Sequence, residues 1–133
     1  MKNHSAHAAH NESVCNYLGK HEKYSDWVIT AAFYSALHFV RHLMLPQNVN
    51  GVLVDDFETL YGKLKLSNGR HTFQLYYVQR EHPSITKAYT RLYEMSVNTR
   101  YNKYEYKRDD ARAAKLYMEH IKSYVISEKE KAV

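Results

Sequence analysis

The chain has 133 residues, 44% of them apolar and 25% charged, with only four glycines and two prolines. That is enough chain for one domain (1–133), and the scarcity of turn residues argues against an all-β sandwich or barrel. The net charge of +5 is unevenly spread: residues 1–69 hold six basic and six acidic side chains, whereas residues 70–133 hold thirteen basic and eight acidic.

In chain order, the first predicted element is a helix over Ser5–Leu18, with Ala8, Val14, Cys15 and Leu18 on a thin apolar face and Gly19 as its stop. The second, about Glu22–Leu45, contains WVITAAFYSALHFVRHLML and is apolar on nearly every side, as a helix buried between neighbours must be. Ala31, Ala32, Ser35 and Ala36 would admit a close neighbour, and Trp27, Phe33, Leu37 and Val40 would fill volume. Pro46 ends it. The uncharged run Trp27–Val40 is 14 residues, short of the roughly 20 that a bilayer span needs, so no membrane association is expected.

The pattern weakens over 47–69, where Asp55 or Asp56 could cap a short helix through FETLYGKLKL and Ser67-Asn68-Gly69 suggests a turn. This stretch is the place for a lid or variable loop. A helix over Arg70–Glu81 follows. Another begins at Pro83 and repeats Ile85, Ala88/Tyr89, Leu92, Met95 and Thr99 at helical spacing. The last opens at Asp109-Asp110 as its N-cap and continues through Ala111, Ala114, Met118, Ile121 and Val125. Fraying is expected over 1–6 and 127–133. Together these elements predict an all-α, up-and-down bundle of about five helices.

The lone Cys15 excludes an intrachain disulfide and suits a reducing compartment. The first ten residues lack an apolar signal core, so a cytoplasmic location is expected. One thiol among nine histidines forms no zinc framework. His38 and His42 share a helix face, but His38 lies in the most apolar helix and is expected to be a hydrogen-bonded core histidine. His4, His7 and His10 are expected to be solvated at a mobile terminus. No metal or cofactor is implied.

Chemistry-bearing candidates concentrate in the basic half. Arg70 and His71 are adjacent at a helix start, where backbone amides attract anions. Asn98, Arg100, Tyr101, Lys103, Tyr104, Lys107 and Arg108 interleave basic and aromatic side chains, with Tyr106 among them. That mixture suits a phosphate backbone and unstacked bases, although the same residues also describe a solvated helix end.

The pattern Trp27, Tyr34, Ala36 and His38 resembles the second helix of many HEPN (higher eukaryotes and prokaryotes nucleotide-binding) domains. LYEMSVNTRYNKYEY, with Ser96, Arg100 and Tyr101, is similar to that family's Ser-x-x-x-Arg-Tyr element. Asn68-Gly69-Arg70-His71 resembles its histidine-bearing helix start. The resemblance spans about residues 20–125. It implies a homodimeric helical bundle of a prokaryotic or phage defence or toxin–antitoxin system, acting on RNA or a nucleotide beside a cognate defence or antitoxin protein.

The family's endoribonucleases are metal-independent and use an Arg followed four to six residues later by His. In that Arg-x4–6-His spacing Arg100 is followed at the relevant positions by Glu105, Tyr106 and Lys107, not by His, and Arg112 precedes His120 by eight. The sequence therefore favours a module that binds RNA without the standard catalytic pair. An endoribonuclease with a rearranged site using Arg100 with His71 or a tyrosine is the alternative, as is a protein-interaction module.

Overall fold

A computed structural model of the chain describes residues 3–64, 69–102 and 108–132. Among these are six α-helices: α1 (His4–Leu18), α2 (Ser25–Met44), α3 (Phe57–Leu64), α4 (Arg70–Glu81), α5 (Thr86–Val97) and α6 (Arg108–Lys131). Single 3₁₀ turns at Glu22–Tyr24 and Pro83–Ile85 precede α2 and α5. A two-stranded antiparallel hairpin, β1 (Gln47–Val49) and β2 (Val52–Val54), lies between α2 and α3. The protein is an all-α bundle with one small hairpin, and no described helix is long and apolar enough to cross a membrane.

The core forms around α2, most of whose apolar residues are buried against neighbouring elements. It packs mainly on α1, α6 and α5. Small side chains make the α1–α2 contact close: Ala8, Ala32 and Ala36 are fully buried, and Ser35 Oγ donates to the Ala8 carbonyl at 2.8 Å. Cys15 lies in the same interface, its thiol directed at the Val28 carbonyl at 3.7 Å. On the other side Met118, Ile121 and Val125 of α6 close the core. Trp27 departs from expectation. It is 58% exposed, because the faces of α2 toward α1, α5 and α6 are filled by Val28, Ile29, Ala32 and Phe33, and Trp27 falls between them.

Local signals explain most boundaries. The Asn3 side chain accepts from the Ala6 N–H at 3.0 Å, capping α1. Leu45 is extended, as a residue before proline must be, and α2 stops there. Asp56 caps α3, its carboxylate accepting from both the backbone N–H and the hydroxyl of Thr59 at 3.0 Å.

Other boundaries differ from expectation. Asp109 and Asp110 lie in the first turn of α6 rather than at its cap, and complement the helix dipole. The termini are also more regular than expected. α1 begins at His4, and α6 runs to Lys131, with Lys129 Nζ donating to the Leu45 carbonyl. The 47–64 stretch is no loose lid. Asn50 and Gly51, at φ 53° and 84°, form the hairpin turn, while Val54, Phe57 and Leu60 are buried.

The N-terminal histidines are also partly drawn inward. His4 is buried and its Nδ1 lies 2.9 Å from Nδ1 of His38, with the rings stacked, and His7 meets the His38 ring edge-on. His38 is thus the hydrogen-bonded histidine expected. No group of three or more metal-capable side chains is found among the described residues.

Candidate nucleic-acid interface

The residues around Arg100 and His71 meet along one face of α2. Tyr34 and Arg41 are seven residues apart, two turns along the same stripe. Gln74 of α4, fully buried, holds that stripe in place. Its Nε2 donates to the Leu37 carbonyl at 2.9 Å, and its Oε1 accepts from Arg41 Nε at 2.9 Å. The Arg41 guanidinium also lies 3.8 Å over the Phe57 ring. Burial lowers the basicity of Arg41 somewhat, a cost offset by those contacts.

One turn before Gln74 on α4 stands His71. Its ring lies 5.8 Å from that of Phe33 and 5.4 Å from that of Tyr93. Its Nδ1 is buried with no hydrogen-bond partner. Burial, then the charges of Arg41 and Arg100, hold this imidazole below its ordinary pKa. His71 is therefore a neutral base at physiological pH.

Arg100 arrives from the other direction. After Val97 the chain makes one π-helical turn over Asn98–Asn102, a widened geometry found often at functional sites. Arg100 Nε donates to the Ser96 carbonyl at 3.2 Å, Nη1 donates to the Tyr34 hydroxyl, and the guanidinium lies 5.3 Å from the Tyr34 ring centroid. Along α5 the positions 89, 93, 96 and 100 form one helical stripe facing this region. The hydroxyls of Tyr89, Ser96 and Thr99 are also buried without hydrogen-bond partners, like Nδ1 of His71. Buried polar atoms are normally satisfied, so these four are exceptions within an otherwise apolar bundle.

The remaining candidates divide. Arg70 is exposed but committed: its Nε donates to both carboxylate oxygens of Glu58 at 2.8 Å, and it lies 5.2 Å from the Tyr61 ring centroid. Asn98 is exposed beside Arg100. Tyr101 belongs to the π-helical turn. Lys103, Tyr104, Tyr106 and Lys107 lie outside the described residues. Arg108 begins α6 and faces a separate crevice with Lys20, His21, Arg112 and Lys115.

Arg41, Gln74 and Tyr93 were not candidates in the sequence. The signal available was the seven-residue spacing from Tyr34 to Arg41 in an apolar helix, where a lone arginine must find partners. The chain matches no protein-family model, no curated protein and no solved structure.

Proposed function

We propose that this is an HEPN-like, RNA-directed protein of a prokaryotic or phage defence or toxin–antitoxin system, acting in the cytoplasm as a homodimer. It binds RNA without the standard Arg-x4–6-His pair. The observation that carries the reading is the convergence of Arg100, Tyr34, Arg41 and His71, from segments far apart in sequence, with the buried Nδ1 of His71 unpartnered among them. Guanidinium groups suit phosphate oxygens, and tyrosine rings suit bases.

Single-stranded RNA should bind with an affinity that falls steeply with salt. Arg100→Ala should weaken binding about tenfold, as removal of one charge-assisted phosphate interaction implies. Lys87→Ala, exposed on α5, is the control and should change nothing. Equal affinity of the Arg100 variant in a filter-binding assay would refute the assignment, and light scattering that reports a monomer at tens of micromolar, roughly the range for a micromolar interface, would remove the homodimer.

One observation favours a second reading, a metal-independent endoribonuclease with a rearranged site. Arg100 lies near enough to His71 to depress its pKa. In that reading the neutral imidazole accepts the 2′-hydroxyl proton as that oxygen attacks phosphorus, the guanidinium holds the scissile phosphate, and the 5′-oxygen leaves and takes a proton from water. Cleavage that persists in chelator and is lost in His71→Gln would select it. Intact RNA with undiminished binding would select the silent module.

A further inference from the structure

We propose that the basic crevice between the α1–α2 connection and the first turns of α6, with the neighbouring exposed rings of Tyr17, Tyr24 and Trp27, is a second contact surface that carries single-stranded RNA toward Arg100. The crevice encloses about 350 Å³, and among the described residues its walls include Lys20, His21, Arg108, Arg112 and Lys115 but no carboxylate. Asp109, just outside it, stands 3.9 Å from Arg112 Nη1, at the outer limit of an ion pair and on an exposed surface where such pairs are weak. So much like charge around one cavity favours counter-anions, and a phosphate chain supplies them at regular spacing.

The rings give that chain its second requirement. His21 lies on the crevice wall, with its ring 5.9 Å from Tyr17 and 6.0 Å from Tyr24. Tyr17 is 65% and Tyr24 39% exposed. Trp27 follows Tyr24 by three residues, is 58% exposed, and lines a small, largely apolar pocket with Asp26, Thr30, Thr99 and Arg100. The aromatic series therefore runs from the crevice to the residue at the centre of the proposed site. Exposed rings beside cations stack with unpaired bases, which a duplex keeps inside.

The inference rests on the RNA-directed reading and is tested separately from it. Trp27 is the only tryptophan, so its fluorescence reports stacking at this ring alone. A 12-nucleotide oligouridylate should quench it, while tripolyphosphate and a duplex of the same length should not. The double variant Lys20→Gln/Lys115→Gln should bind at least tenfold more weakly by anisotropy of end-labelled RNA. Its salt slope should be shallower by about 1.4, at roughly 0.7 for each single-strand phosphate that is no longer neutralised. Trp27→Leu should weaken binding about fivefold or more, with an unchanged circular-dichroism melt as the folding check.

Binding that falls with Arg100→Ala but ignores both other variants, without quenching, would overturn the second surface and leave the first site standing. Tripolyphosphate or duplex binding as tight as that of the single strand would overturn the strand path. No RNA binding at roughly 50 mM salt, where phosphate interactions are only weakly screened, would overturn both readings.

Discussion

Gln74 is a small residue with a large positional effect. It has no exposure, and its amide spans α2 and α4 by donating to the Leu37 carbonyl while accepting from Arg41. Gln74→Leu keeps the volume but removes both bonds, leaving the desolvated Arg41 guanidinium without its acceptor on α4. Urea unfolding should show a loss of about 1–3 kcal/mol, and the RNA affinity should fall as Arg41 and His71 lose their fixed registration. A neutral effect on stability would mean that the cation over Phe57 is enough to hold Arg41. The same scale shows what sequence could disclose of the site. Arg100 and His71 were legible as a basic residue near a helix end and an imidazole at a helix start. Their pairing entered only as an alternative drawn from the family resemblance, because in the fold it depends on α4 and α5 both packing against Phe33. No local pattern encodes that packing.

At the scale of elements, helices with strong apolar periodicity were legible with nearly correct ends, since caps and Pro46 act locally. The hairpin was not. Its turn, Asn50-Gly51, is a recognised signal when alternating strands flank it, but strands of three residues each offer too little alternation to read. Gly51 sits at φ 84°, where an L side chain is strained although space is open around it. Gly51→Ala should therefore lower stability by about 1 kcal/mol. Hydrogen exchange should show the loss at Gln47–Val54, with α2 and α6 retaining their protection. The exposure of Trp27 was hidden for a related reason. On a helix apolar all round, hydrophobicity alone cannot say which ring lacks a neighbour. That depends on the directions from which α1, α5 and α6 approach.

For the molecule as a whole, three half-buried histidines tie stability to acidity. His42, His71 and His82 are each held below their ordinary pKa, first by burial. His82 is also clasped between hydroxyls, with Nε2 3.1 Å from Tyr77 Oη and Nδ1 2.8 Å from Tyr124 Oη, joining α4 to α6. A base with a depressed native pKa binds fewer protons folded than unfolded, so stability rises with pH through that interval. It is complete above the ordinary imidazole value of about 6.5 and is lost as the pH falls below it. Denaturation midpoints should accordingly be flat from about pH 7 to 8 and decline toward pH 5, with the decline reduced in His82→Phe. A flat profile across the imidazole range would show these rings to be as hydrated as free histidine.

Cys15 carries a practical consequence. Its thiol is enclosed by α1 and α2, and burial first of all pushes its pKa up to about 11. Alkylating reagents attack the thiolate, so at neutral pH the closed chain is inert to them. Labelling then proceeds through excursions in which α1 swings away from α2. With a single cysteine per chain, the rate of adduct formation seen by mass spectrometry becomes a stopwatch for that excursion. RNA that bridges the α1–α2 connection and α6 would slow it, and RNA held at Arg100 alone would leave it running at the same pace.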